Sequence, residues 1–306
     1  MPMTPRFARA AALSVSLAAA SGEVDMAQPD AAARPDASPA DAAADAPAGL
    51  PPWGEARLIP ELADGDVRGG SLTEDRLELY FTSSARGGQG GFEIWRSIRT
   101  AATDPWGTPA LVVELNTAAT DADPSVSPDG LSLWLTREHD GDHDVFVSVR
   151  ASRRDPWGTP AVVPNLNSPS NDYNPSIAAG GTLIALTSSR NGTSDVFLSH
   201  RSDPQHDWST PALVAEVNRA DAEDSAILSG DGLELILTRV GSAGDRDPLS
   251  ATRPDLDSAF SAPTPIEELR TADNDETSWL SADRRYLFLT RFSQSARRYQ
   301  AYDATR

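Results

Sequence analysis

The chain has 306 residues, and its 26 basic and 45 acidic side chains give a formal net charge of −19 at pH 7. A protein this acidic repels nucleic acid and anionic lipid, so we expect neither as a partner. The absence of cysteine excludes disulfides, thiolate nucleophiles and cysteine-bound metal clusters. The 24 prolines and 21 glycines are typical of a turn-rich chain and argue against a helical bundle.

Residues 1–21 have the pattern of a secretory signal peptide. Arg6 and Arg9 precede an apolar run over residues 10–20 that ends in small side chains. The run is too short to span a bilayer, which takes about 20 apolar residues. Since no cysteine is present to carry a lipid, we expect a periplasmic or secreted bacterial protein without a lipid anchor. A disordered, alanine-rich start on a cytosolic protein is the alternative.

Residues 22–52 are predicted to form a disordered linker. Of these 31 residues, 11 are alanine, 6 proline and 5 aspartate. Such a stretch cannot bury enough apolar surface to offset the entropy lost on ordering it.

The remainder, residues 53–306, consists of five copies of one repeat. The clearest copies are DPWGTPALVVELN at Asp104, DPWGTPAVVPNLN at Asp155 and HDWSTPALVAEVN at His206. One aromatic residue marks each copy, at spacings of 53, 51, 51 and 52 residues: Trp53, Trp106, Trp157, Trp208 and Phe260. Because every copy carries this aromatic residue, we expect it to pack each repeat against its neighbour.

Each copy contains four short runs with the period of two that is typical of β-strands. In the second copy these runs are DPSVS, LSLWLTR, DVFVSVR and PALVVEL. Four strands in a unit of about 50 residues predict the blade of a β-propeller. We therefore predict an all-β, five-bladed propeller of antiparallel strands, with the DPSVS-type strand innermost.

The ends of the repeats predict how the ring closes. The fifth copy stops after its third strand, over residues 298–303, whereas residues 56–62 form an outer strand without a blade. Pairing these two segments would complete the last blade and remove its open edge.

The motif SPDG at residues 127–130, followed by LSLWLT and then DVFVS, resembles the WD40-like (TolB-type) β-propeller repeat family of bacterial envelope proteins. The resemblance covers residues 53–306. The motif becomes AAGG at Ala178 and SGDG at Ser229, and it is lost at Thr73 and Ser281. The resemblance implies protein contacts at a propeller face, and hence an envelope partner.

One acidic residue recurs in the turn that enters the first strand of each copy. These residues are Asp121, Asp172, Glu223 and Asp275, with Asp66 one residue away from equivalence. We expect a ring of carboxylates around one channel mouth, which could bind a cation or a basic ligand. The alternative is that each carboxylate caps its turn by bonding backbone amides.

The loops between the second and third strands differ between copies, which is typical of recognition surfaces. The loop EHDGDHD has carboxylates at alternate positions, so Asp140, Asp142 and Asp144 are candidate calcium ligands, although the glycine and distal glutamate of a calcium loop are missing. Further candidates for partner contact are His139, His143, Tyr173 and Trp279.

The sequence contains no G-x-S-x-G nucleophile motif, no H-E-x-x-H zinc-protease motif, no G-x-x-x-x-G-K-[ST] phosphate loop and no dinucleotide-binding fingerprint. We therefore predict a monomeric, non-enzymatic binding scaffold without a cofactor other than possible calcium, which recognises a protein or another ligand at its acidic face. The alternative is a glycan-binding or glycan-hydrolysing propeller that uses carboxylates at the channel mouth.

Overall fold

The computed structural model describes residues 50–88, 90–240 and 246–306. The predicted signal peptide and all but the last three residues of the predicted linker lie outside the described residues. In the described part of the chain, no helix is long and apolar enough to cross a membrane.

The described residues form a five-bladed β-propeller, with four antiparallel strands in each blade. The first strand, β1 (Arg57–Leu58), belongs to the last blade. Blade 1 contains β2 (Arg68–Leu72), β3 (Glu78–Ser83), β4 (Glu93–Ile98) and β5 (Ala110–Leu111). Blade 2 contains β6 (Asp121–Val126), β7 (Ser132–His139), β8 (Asp142–Val149) and β9 (Ala161–Val162).

Blade 3 contains β10 (Asp172–Ala178), β11 (Leu183–Ser188), β12 (Asp195–His200) and β13 (Ala212–Leu213). Blade 4 contains β14 (Glu223–Leu228), β15 (Glu234–Val240), β16 (Arg246–Thr252) and β17 (Thr264–Pro265). Blade 5 contains β18 (Asp275–Leu280), β19 (Tyr286–Ser293), β20 (Arg298–Thr305) and β1. The predicted fold and strand order are therefore confirmed.

The ring closes between the two ends of the repeat region, as predicted. Strand β1 pairs with β20 in the register Arg57 opposite Asp303 and Leu58 opposite Tyr302. The Ile59 amide then donates to the Ala301 carbonyl at 2.9 Å. The outer strand of blade 5 thus comes from the N-terminal end of the repeat region, and its hydrogen bonds to β20 complete the blade.

The outer strands are shorter than predicted, because only two residues of each pair as a strand. Residues 56–62 contain β1 and then a 3-10 helix, Pro60–Leu62; residues 109–115 contain β5 and then the 3-10 helix Val113–Leu115. The helical turn directs Leu62 and Leu115 into the core, where both are fully buried. Burial of this leucine accounts for the departure from an extended strand.

The marker aromatics are buried between blades, and each lies beneath an arginine at the end of a third strand. The guanidinium carbons lie 4.1–4.5 Å from the ring centroids in the pairs Arg306–Trp53, Arg99–Trp106, Arg150–Trp157, Arg201–Trp208 and Arg253–Phe260. Each arginine also donates through Nε to a carbonyl of a nearby hairpin, such as Gly181 for Arg201 at 2.7 Å. The repeated arginine and aromatic thus form one structural unit, which the spacing of the aromatics alone did not reveal.

The inner strands lose regular pairing near their first residues. Shifts in register occur in all five, for example between Ala122 and Ser125 of β6 and between Tyr173 and Ser176 of β10. Such a bulge changes the direction of the side chains beside it. In this protein the bulges lie at one end of the central channel.

Candidate functional site

A cavity of about 540 Å³ occupies the channel mouth at which the inner strands begin. All five blades line it, and its volume lies in the range of about 300–1,000 Å³ that is usual for small-molecule sites. The wall contains residues from the bulges together with side chains from second and third strands, such as Thr136, Arg246 and Tyr299.

The five blades contribute different chemical groups at equivalent positions. One such position comes directly after the recurring acid in blades 2 to 5 and two residues after Asp66 in blade 1. From blade 1 to blade 5 it holds Arg68, Ala122, Tyr173, Asp224 and Glu276. The next residue is Gly69, Asp123, Asn174, Ser225 and Thr277. The backbone repeats, but the lining of the pocket does not.

The acidic residues predicted to ring the mouth do not line this cavity. Each is bonded to an arginine, in the pairs Asp121–Arg137, Asp172–Arg190, Glu223–Arg239, Asp275–Arg291 and Asp66–Arg68. The first four acids in this series are fully buried. The predicted ring of carboxylates therefore does not line the cavity, and its binding of a cation or a basic ligand remains a prediction.

Strand register explains this placement. Asp121 lies opposite Arg137 in the pairing of β6 with β7, so the two side chains meet on one face of the sheet. Asp121 also accepts hydrogen bonds from the Thr117 amide at 2.6 Å and its hydroxyl at 2.9 Å. The geometry matches the capping alternative. An arginine 16 or 18 residues after four of the five acids was the signal that sequence reasoning missed.

Three other carboxylates line the pocket: Asp123, Asp224 and Glu276. Two of them share one arginine, since Arg246 Nε lies 2.5 Å from Asp224 and 3.4 Å from Glu276. The Tyr299 hydroxyl donates to Glu276 at 2.7 Å. Burial raises the pKa of Glu276, while the Tyr299 bond and the charge of Arg246 oppose that rise.

Asp123 has a different environment. Burial raises its pKa, which the Thr136 hydroxyl lowers by hydrogen bonding and the nearby Asp224 charge raises further. Its amide donates to Thr82 of blade 1 at 3.0 Å. Its φ of 50° lies in the left-handed region, as does that of the equivalent Asn174 at 52°. Aspartate and asparagine tolerate this conformation, which fixes the position of the Asp123 backbone at the pocket wall.

Arg68 is held rigidly at the rim of the pocket. Its guanidinium carbon lies 4.6 Å from the centre of the Tyr299 ring and 5.1 Å from that of Phe92, and Nε donates to Asp66 at 2.9 Å. Burial raises the pKa of Tyr299 to about 12, helped by Glu276, so this ring keeps its proton at neutral pH. The rim therefore combines a fixed cation with aromatic surface.

The predicted calcium loop is part of a tight hairpin. Asp142 and Asp144 belong to β8, and Asp140 occupies the turn with a φ of 54°. The Nδ1 atom of His139 lies 3.0 Å from Asp144, and its ring packs on Phe146. Among the described residues, no group of three histidine or acidic side chains is arranged to hold a metal ion.

The remaining candidates for partner contact occupy different places. His143 and Tyr173 line the pocket, with the Tyr173 hydroxyl bonded to Ser194. Trp279 instead packs against Tyr286 and lines a small cleft that it shares with inner-strand residues deeper in the channel.

Comparisons with known proteins support the propeller fold. No protein-family model matches the chain, and the search of curated proteins found no significant match. Among solved structures, TolB from Acinetobacter baumannii matches with a TM-score of 0.45 and 14% identity, over 79% of this chain and 55% of that chain. This chain thus spans only about half the length of that protein.

Two glycoside hydrolases match over more of their length. The α-L-arabinofuranosidase PaAbf62A from Podospora anserina, in complex with cellotriose, gives a TM-score of 0.52 and 12% identity, over 83% of this chain and 96% of that one. A thermostable family-43 glycoside hydrolase gives 0.54 and 12%, over 78% and 89%. At these identities the likeness shows the fold alone. It does not distinguish the TolB-type family, which the repeat motif resembles, from other propeller families.

Proposed function

We propose that this protein binds a small carbohydrate in the pocket at the channel mouth. The observation that carries the proposal is the asymmetry of the lining. Repeats that served only to build the ring would need the same residue at equivalent positions, yet Tyr173, Asp224 and Glu276 replace one another there. Different side chains at equivalent pocket positions are expected where one ligand is recognised by several blades.

The chemistry of the pocket suits a ligand with many hydroxyl groups. Carboxylates and the Asn171 and Asn174 amides provide acceptors and donors, and Tyr173 and Phe92 provide ring surface against which a sugar can pack. The sequence predicted binding at the acidic face of the propeller, and the proposal assigns that binding to the pocket at the channel mouth. The predicted envelope partner and the export of the protein remain parts of this proposal.

A panel of neutral, amino and acidic oligosaccharides tests the proposal by saturation-transfer NMR. Ser278 lines the cavity from β18 and is partly exposed, so Ser278→Trp should fill the pocket. We expect at least one saccharide to bind the native protein and to lose binding in this variant. Ser202→Trp, on an exposed loop outside the pocket lining, is the control. Absence of binding across the panel would refute the proposal.

Hydrolysis of the bound glycan is the second candidate function. The pocket contains two carboxyl groups in different surroundings: Glu276 is paired with Arg246 and accepts a bond from the Tyr299 hydroxyl, whereas Asp123 lies beside Thr136. Nitrophenyl glycosides provide the assay. Loss of hydrolysis in both Asp123→Asn and Glu276→Gln, with saccharide binding retained, would support catalysis. A native protein that binds saccharide but releases no nitrophenol would exclude hydrolysis of these substrates.

A further inference from the structure

The charges that line the pocket are not balanced. Asp224 and Glu276 share Arg246, and Arg68 is already paired with Asp66. Within the described ranges, no ion pair joins Asp123 to a basic side chain, and the chain contains no lysine that could supply one. Among the described residues, Asp123 is thus the pocket carboxylate that has no arginine as a partner.

The surroundings of Asp123 favour a positively charged ligand group. Thr136 and the Asn174 amide bond its carboxylate, and both are neutral. His143 is a basic neighbour in the same pocket, but it lowers the pKa of Asp123 less than the charge of Asp224 raises it. Asp224 adds a second negative charge nearby, and the net charge of the whole chain is −19. A cation that entered the pocket would relieve this repulsion and would be attracted from solution by the field of the protein.

The aromatic wall offers a second source of attraction for a cation. The rings of Tyr299 and Phe92 already hold the guanidinium of Arg68. Tyr173 lines the same pocket, and the bond from its hydroxyl to Ser194 fixes the ring. An ammonium group beside such a ring gains cation–π attraction in addition to a charge-assisted hydrogen bond.

We propose that the carbohydrate bound in this pocket carries a protonated amine, which pairs with Asp123 between Thr136 and Asn174. The ligand is then an amino sugar with a free amino group rather than a neutral or N-acetylated sugar. This inference rests on the proposed function, since it names the class of saccharide that the pocket accepts.

Isothermal titration with two matched probes tests the inference. The disaccharide of β-1,4-linked glucosamine and its di-N-acetylated form share one skeleton and differ in charge. The native protein should bind the free amine at least about tenfold more tightly, the effect of one charge-assisted hydrogen bond. Asp123→Asn should reduce this preference to about twofold or less, whereas Asp203→Asn, which removes a half-exposed charge outside the pocket lining, should retain it.

The possible results separate the two proposals. Equal affinities for both probes, or a preference that survives in Asp123→Asn, would overturn the assignment of the amine while leaving carbohydrate binding intact. If neither probe binds but another saccharide of the panel does, the amine assignment fails alone. If no saccharide binds, both proposals fail.

Discussion

Removal of Arg306 should destabilise the propeller more than removal of Arg201, the equivalent arginine of blade 3. Arg306 covers Trp53, donates to the Arg284 carbonyl at 2.6 Å and pairs with Glu234 of blade 4. The Glu234 side chain is only 2% exposed. Arg306→Ala therefore removes the packing on the ring and also leaves a buried carboxylate without its cation.

Arg201 provides a matched control. It covers Trp208 at the same distance of 4.3 Å and donates to Gly181, but within the described residues it has no ion pair. We expect Arg201→Ala to cost about 2 kcal/mol, the sum of its cation–π contacts with Trp208 and the more distant Trp134 and one hydrogen bond. Arg306→Ala should cost about 4–5 kcal/mol, because a stranded buried charge adds to this loss.

Differential scanning calorimetry and urea titration measure the difference. In a domain of this size each kcal/mol lowers Tm by about 2–4 °C, so Arg306→Ala should lower it by roughly 8–20 °C. Adding Glu234→Gln to Arg306→Ala should recover about 2 kcal/mol, since the stranded charge is removed. Equal losses for the two arginine variants, within about 0.5 kcal/mol, would refute the argument.

Three further predictions concern the core, the paired acids and the pocket. Trp157→Ala should cost about 3–5 kcal/mol in urea unfolding, because the ring is buried between Arg150 and Tyr80; a loss below about 1 kcal/mol would contradict this packing. Asp172→Ala should cost about 3 kcal/mol by leaving Arg190 unpaired, and calcium should not alter the melting temperature of either protein; stabilisation by calcium would restore the cation interpretation. The pKa of Asp123 is raised above 3.8 in the native state, so the native state binds a proton at this group more strongly than the unfolded state does. The contribution of Asp123 to the free energy of unfolding therefore falls as the pH rises from 3.8 through the native pKa. Asp123→Asn should therefore melt above the native protein at pH 7, with the gap narrowing toward pH 4; a variant that melts lower at pH 7 would contradict this sign.

The sequence was sufficient to predict the blades because the repeat has a fixed period. The spacing of Trp53 and its equivalents determined five units, and the unmatched segment at residues 56–62 indicated how the ring closes. The sequence was not sufficient to predict the lengths of the outer strands. Burial of Leu62 and Leu115 in 3-10 turns depends on the core that neighbouring strands create, which no local pattern encodes.

The pocket was harder to predict than the fold. Recurrence drew attention to Asp121 and its equivalents, but recurrence follows from a shared structural need, here an arginine on the adjacent strand. The residues that define the pocket, such as Asp123 and Glu276, do not recur, so comparison of the repeats did not mark them. Their placement depends on bulges at the start of each inner strand, which the sequence pattern did not reveal.

The most direct test of this account is a crystal structure of the protein with the saccharide that binds most tightly in the panel. We expect density for one sugar residue inside the cavity, with polar groups near Asp123 and Glu276 and the ring packed against Tyr173. A saccharide bound only at the hairpin loops, or at the outer edges of the blades with an empty channel mouth, would contradict the account.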